Sequence, residues 1–271
     1  MFDQIAANKR RTWLLLLGFG LLIALVTAAV AFLFRLGTIG FAIAIVFAVA
    51  TSWTSYWCSD RLALAAARAP HLAMVDADDV VATGWLAAMV TALDEAELVA
   101  GALEIDRLNP EWVRGTRGRA LARSVGTFAG VLPFAHSSNL GVRRDLVDRI
   151  GGFDEGIEAG EDVEFSYRAS RVGVVPRYAP DAVVHYRYRT EPEVLWQQGR
   201  RYGRSRPMVV KLLVARGLRR PPRFAGWRSW IWLVLHLPDL VRSERRAAYV
   251  WVAGNRLGQL EGSIRYRTVF L

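Results

Sequence analysis

An α/β domain carried behind a two-helix membrane hairpin is the architecture this sequence predicts, and three observations predict it. Two uncharged apolar runs, 12–34 and 38–59, open the chain. From about Arg68 the composition changes to short apolar runs alternating with amphipathic stretches, the pattern of strands and helices in an α/β fold. Beyond Glu191 the chain turns helical and basic. The regions expected are a hairpin over 1–66, an α/β part over 67–205, and a basic, Trp-rich helical tail over 206–271 with the character of a membrane-interfacial segment.

Composition narrows the partners. With 271 residues and 53% hydrophobic content, the chain can hold one large domain or two small ones. A net charge of +10, with Arg in strong excess over Lys, suits phospholipid head groups or nucleotide diphosphates. Nucleic acid is not an expected partner, since no Cys/His finger spacing, RNP-like aromatics or heptad zipper occurs. The single cysteine, Cys58, rules out an intramolecular disulfide and a Cys-rich metal site.

Taken in order, each apolar run is long enough to cross a hydrocarbon core, which needs roughly 20 helical residues. Trp13 begins the first run, and Trp53, Tyr56 and Trp57 end the second, where interfacial belts fall. The Lys9-Arg10-Arg11 cluster keeps the N-terminus cytoplasmic, and two spans return the chain to that side. The expected localisation is therefore the inner (plasma) membrane, multi-pass, with the following domain cytoplasmic.

The run HLAMV (71–75) then stops at Asp76, Asp78 and Asp79 and reads as a buried strand opening into a cleft. Ligands sit outside the carboxyl ends of strands in open α/β sheets. Asp-x-Asp puts two oxygen ligands within reach of one divalent cation, so Asp76 and Asp78 are candidate metal ligands. Asp79 reads equally as a third acid of the site or as a helix N-terminal acid. Thr83 can cap a helix whose apolar positions are Trp85, Leu86, Met89, Val90 and Leu93. Leu98–Leu103 reads as a strand, and 107–123 as a basic loop that can hold a helix. Asn139–Val142 reads as a strand, Asp145–Ile150 as a helix ending at Gly151-Gly152, and Glu161–Val172 as a helix opening with acids. Ala182–Tyr186 reads as a strand containing His185, and Trp227–Val241 as an apolar helix broken by Pro238.

Two resemblances attach to these residues. MFDQIAANKRRTWLLLLGFG, LGTIG and SYWCSDRLAL are similar to the N-terminal membrane hairpin of HtpX-type zinc metalloproteases, over roughly residues 1–66. That family's chemistry needs a His-Glu-x-x-His helix, which is absent, and a membrane protease is the disfavoured reading. Downstream, VDADDVV, SSNLGVRRDLVDRIGGFDEG, GEDVEFSYRASRVG and VVHYRYR occur in the order found in family-2 glycosyltransferases of the GT-A fold. Residues of about 69–205 resemble the C-terminal part of that domain.

The second resemblance implies roles. Asp76 and Asp78 would hold Mg or Mn against the diphosphate of a nucleotide-diphosphate sugar, and Asp162 would be the catalytic base. His185, which by residue chemistry alone reads more readily as a structural histidine, falls at a metal or diphosphate contact, and Asn139 and Glu161 on the acceptor side. Arg201, within Gln198-x-x-Arg201-Tyr202, is loosely similar to the Gln-x-x-Arg-Trp motif of processive members and would contact the donor. From residue chemistry alone, Glu161, Asp162 and Glu164 read equally as first-turn acids, and Asn139 as a residue bonding its own turn.

One departure bears on activity. Family members bind the base and ribose with βα units that precede Asp-x-Asp, and barely a strand fits between Ser59 and Asp76. The resemblance thus implies a protease-type anchor joined at about 64–68 to an incomplete GT-A-like domain. A membrane-anchored glycosyltransferase acting on a glycan or lipid-linked acceptor is the leading expectation, with activity weakened by the missing front half. The alternative is a non-catalytic, membrane-anchored α/β remnant with a scaffolding role.

Overall fold

The computed structural model describes residues 69–114, 124–223 and 226–271, together with the single positions Val26, Gly37 and Val46. The chain divides into Met1–Ala69 and Pro70–Leu271, and every element that follows lies in the second unit. In chain order they are β1 (His71–Val75), β2 (Val80–Val81), α1 (Trp85–Glu95), β3 (Leu98–Glu104), α2 (Glu111–Arg114), β4 (Gly126–Phe128) and β5 (Leu132–Phe134). Then come β6 (Asn139–Arg143), α3 (Arg144–Ile150), α4 (Glu161–Arg171), β7 (Arg177–His185) and α5 (Pro192–Ala215). The chain finishes with α6 (Trp227–Leu235), a 3-10 turn (Leu237–Val241) and α7 (Ser243–Arg265).

Five strands form one mixed sheet in the order β1-β6-β3-β7-β2, and β4 pairs with β5 in a separate hairpin. β3 takes the centre because its run, LVAGALE, is apolar at successive positions and can be covered on both faces. Alternation along β3 then sorts the core. Val99 joins Met89 and Leu93 of α1 on one face. Leu98 and Ala100 join Leu146 of α3 and Phe165 of α4 on the other. Gly141 on β6 gives Met89 its seat, since a Cβ there would lie 2.4 Å from the Met89 sulfur. A second core gathers Phe128, Leu132 and Phe134 under Val163 and Tyr167 of α4 and Val209 and Leu213 of α5.

The structure corrects several expectations. β1 was expected to be buried, but among the described residues it pairs only with β6, lies at the sheet edge and leaves Val75 exposed. α1 starts not at a Thr83 cap but after Gly84, whose φ of 84° brings the chain into the helix without a side-chain cap. Of its apolar positions, Met89 and Leu93 are buried, whereas Leu86 and Val90 are exposed. The multi-pass membrane localisation is also corrected: among the described residues no helix is long and apolar enough to cross a membrane. α5 and α7 have the length, with 24 and 23 residues, but carry repeated arginines, and Trp-rich α6 has nine residues. The spans expected at 12–34 and 38–59 lie outside the described residues.

α5 and α7 pack backbone to backbone. A Cβ on Gly203 of α5 would come within 2.1 Å of the Asn255 carbonyl oxygen of α7, and one on Gly258 within 2.1 Å of the Arg200 oxygen. Gly199, Gly254 and Gly262 meet the opposite helix almost as closely. Glycine at every fourth residue puts all these contacts on one helix face.

Asn139 closes a register break. β3 and β7 slip between Gly101 and Ala102, and the Asn139 amide fills the gap. Its Nδ2 donates to the Ala102 and Ala182 oxygens at 2.8 Å each, and its Oδ1 accepts from Trp85 Nε1 at 2.9 Å. Gly101 is obligatory beside it, because a Cβ would sit 2.3 Å from Nδ2. Asn139→Ala would strand three buried polar groups, each costing about 1–3 kcal/mol. A loss of roughly 3 kcal/mol or more is the expected result by urea unfolding.

Candidate active site

The β1 run ends at Val75, and the turn that follows, closed by the Asp79 N–H donating to the Asp76 oxygen at 3.1 Å, presents Asp76 and Asp78 to a cavity of ≈ 650 Å³. Facing them, Gly160 with φ 91° turns the chain into α4 and puts Glu161 and Asp162 on its first turn. The β7–α5 connection adds Arg187 and Arg189, and α5 contributes Gln198, Arg201, Tyr202 and Arg206. Trp251 and Asn255 of α7 close the wall. Five residues expected from the sequence, Asp76, Asp78, Glu161, Asp162 and Arg201, are thus brought to one cavity.

Charge is segregated within it. Burial, then the neighbouring negative charges of Asp78 and Glu161, raise the Asp76 carboxyl above its ordinary range, against the pull of Arg189. Arg189 Nη2 lies 2.9 Å from Asp78 Oδ2, and Arg187 Nε donates to the Asp78 carbonyl at 3.1 Å. Asp79 turns away and accepts the Arg187 N–H at 2.7 Å. Burial pushes it up to about 6. It anchors the loop opposite, and the cavity is lined without it.

Asp162 is the deeply buried acid. Burial, then the Glu161 charge, pushes its carboxyl up to about 7, although the Val163 and Ser137 N–H groups donate to it at 2.8 and 3.4 Å. His136 Nδ1 lies 3.9 Å from Asp162 Oδ2. Burial takes this imidazole down to about 4, so at neutral pH the pair is a polar contact and not a salt bridge. Behind Asp162 the helix is tethered by Glu164, which is 1% exposed and lies between Arg168 and Arg216. Arg168 also donates to the carbonyls of Ile150, Gly151 and Gly152, fastening the loop before α4.

Two expected residues lie elsewhere. Asn139 is buried in the sheet as described, and its own N–H closes a turn onto the His136 oxygen. His185 has both ring nitrogens engaged: Nδ1 is 2.6 Å from Glu104 Oε2, and Arg107 donates to Nε2 at 3.0 Å. Since an arginine can only donate, Nε2 is the acceptor and the proton sits on Nδ1. Neither residue lines the cavity. Arg187, Arg189, Arg206, Trp251 and Asn255 were missed by the sequence reading. The alternation Tyr-Arg-Tyr-Arg (186–189) was the available signal for the first two.

The donor set at the cavity suits a hard divalent cation. Among the described residues no group of three or more His, Cys, Asp or Glu side chains is arranged to hold a metal. Asp76 and Asp78 are two adjacent carboxylates whose mutual repulsion raises Asp76, and a cation would relieve that repulsion. Mg²⁺ is ordinarily held by one or two carboxylates together with phosphates and water, so the pair fits.

A mixed sheet flanked by helices, with acids at a strand end facing an acid at a helix start, defines an α/β protein with a carboxylate-lined ligand cleft. Its sequence matches the profile of glycosyl transferase family group 2 over residues 71–255, and the chain belongs to that family. Among solved structures it is similar to the mannosyltransferase PcManGT from Pyrobaculum calidifontis in complex with GDP-Man and Mn2+, with TM-score 0.45 and 15% identity. That likeness covers 74% of this chain and 65% of the other. Among curated proteins, the protease HtpX homologs of Streptococcus pneumoniae strains Hungary19A-6 and G54 are each 60% identical over 47 residues. The match takes in 17% of this chain and lies at the N-terminus. The chain spans only 16% of the length of these curated relatives.

Proposed function

We propose that the cavity transfers a sugar from a nucleotide-diphosphate donor to an acceptor hydroxyl, with Asp162 as the base. The observation that carries this reading is the convergence of Asp76, Asp78 and Asp162 on one cavity. Such a transfer needs a carboxylate to take the acceptor proton as the anomeric carbon is attacked. A carboxyl pushed up to about 7 is a stronger base than an ordinary aspartate, and its proton affinity is matched to neutral pH. Asp76 and Asp78 would hold Mg²⁺ or Mn²⁺, which would supply charge neutralisation at the diphosphate. Arg187, Arg189 and Arg201 line the same cavity and add positive charge toward that leaving group. The Ser137 N–H and the Val163 N–H keep Asp162 oriented.

Donor affinity is the test. Asp76 and Asp78 with a cation, and Arg187, Arg189 and Arg201, offer the contacts for the diphosphate, and these are expected to carry binding. Calorimetry of the full chain with Mn²⁺ and a panel of nucleotide sugars is expected to give Kd values on the order of 1 mM, about 4 kcal/mol. Binding should vanish on removal of Mn²⁺. Absence of heat with every nucleotide sugar would overturn the proposal.

A further inference from the structure

The cavity has a second charged end. Arg206 stands five residues beyond Arg201 on α5, about 7.5 Å farther along the helix at 1.5 Å per residue. It lines the cavity and is more than a third exposed, yet the surrounding protein holds its guanidinium below the ordinary range by desolvation. The side chain reaches solvent while protein crowds its charge. Among the described residues no carboxylate is within ion-pair distance of it. Arg256 of α7 lies behind, taken down to about 10 by burial and then by the Arg206 charge. Its Nε is buried without a hydrogen-bond partner among the described residues.

Position separates this end from Asp76 and Asp78. Val209, one turn past Arg206, packs on Gly160, where a Cβ would be 3.0 Å from the Val209 methyl. That contact places the Arg206 stretch of α5 beside the start of α4, where Asp162 sits. Arg187 and Arg189, by contrast, attach to Asp78 at the sheet end. On the same cavity wall, at the level of Gly199, Trp251 stands edge to face with Tyr202 at 5.8 Å. Asn255, one turn on, still has amide capacity beyond its 3.4 Å bond to the Gly199 oxygen. A guanidinium with no carboxylate partner among the described residues, and a second one close by, attracts a dianion, and an aromatic face with an amide suits a sugar ring.

We infer that Arg206, Trp251 and Asn255 form an acceptor subsite for a phosphorylated sugar, with Arg206 binding the phosphate group. This rests on the sugar-transfer reading only for the word acceptor. The same anionic chemistry could come from the donor diphosphate, and the experiment separates the two.

Calorimetry on the full chain compares glucose 1-phosphate, methyl glucoside and the nucleoside diphosphates GDP and UDP with Mn²⁺, for wild type, Arg206→Gln and Arg206→Lys. Wild type is expected to bind glucose 1-phosphate about tenfold or more tighter than methyl glucoside. Arg206→Gln should erase that ratio, Arg206→Lys should keep most of it, and nucleoside diphosphate binding should change by less than about twofold in both. The subsite is overturned if wild type shows no preference for the phosphorylated sugar, or if Arg206→Gln preserves the preference. It is equally overturned if Arg206→Gln weakens the diphosphates as much as the sugar phosphate, since Arg206 would then serve the donor. If neither nucleoside diphosphate binds wild type while an Arg206-dependent preference is present, the donor assignment fails and the anion subsite stands.

Discussion

Asp162→Asn is expected to reduce sugar transfer by about 10²–10⁴-fold, the span general base catalysis supplies, and at the same time to stabilise the fold at alkaline pH. Both follow from one cause. In the folded chain the carboxyl is pushed from 3.8 to about 7 by burial and by Glu161, so the folded state holds this proton more tightly than the unfolded chain does. The stability so conferred is complete below about pH 4 and is lost as pH rises to about 7. Asparagine is neutral throughout and escapes that loss. The shift sets an upper figure of about 4 kcal/mol. The Ser137 N–H, at 3.4 Å, loses an acceptor if the amide NH₂ faces it, which brings the gain to about 2–3 kcal/mol. Urea unfolding at pH 8 and pH 4 checks this: the variant should exceed wild type at pH 8 and fall about 1–2 kcal/mol below it at pH 4. Transfer by wild type should rise with pH through about 7, as the base ionises. Full transfer activity in both Asp162→Asn and Asp76→Asn would overturn the roles given to these residues, whereas no transfer by wild type would turn the balance toward a non-catalytic scaffold.

Gly203→Ala should be, with Gly258→Ala, among the most damaging single-carbon additions at the described residues. The new Cβ would fall 2.1 Å from the Asn255 carbonyl oxygen. That neighbour is backbone within α7 and cannot rotate aside, so the two helices must separate along their whole contact. Overpacking of this kind costs about 1–3 kcal/mol and occasionally more, and the upper end is expected here. For a domain of this size that lowers Tm by about 6–12 °C. Gly152→Ala is the control, with open space around its Cβ, and should leave Tm unchanged within error. Because Arg201, Arg206, Trp251 and Asn255 ride on the same two helices, Gly203→Ala should also weaken ligand binding, whereas Gly152→Ala should not.

The parts of the fold legible in the sequence were those with local signals. HLAMV followed by acids, LVAGAL, and the Gly-Glu-Asp start of α4 each declare a strand or helix through residues adjacent in the chain, and the structure contains all three elements. The matched family supplied their order. What stayed hidden depends on partners distant in sequence. His185 reads as a structural histidine or a ligand until Glu104, 81 residues away, is placed against it. Asn139 reads as a turn or ligand residue until the slip between β3 and β7 opens a hole of its size. β4 and β5 have three residues each, too few for alternation to register. α7 falls inside the helical tail expected over 206–271, but its packing partner stayed hidden because the mark of that contact is Gly254, Gly258 and Gly262, a pattern of omitted side chains. Its Trp251 and Asn255 were missed with it.

The glycine contacts between α5 and α7 also bear on how many different molecules the cleft can accept. Two helices held at carbonyl-to-Cα distance have no slack, and close-packed interiors resist expansion. A bulkier ligand therefore cannot be welcomed by the wall drifting outward. Discrimination on that side becomes a matter of fixed dimensions, a gauge that passes or refuses. Adaptation is left to side chains around the cleft that are not part of this backbone-to-backbone contact.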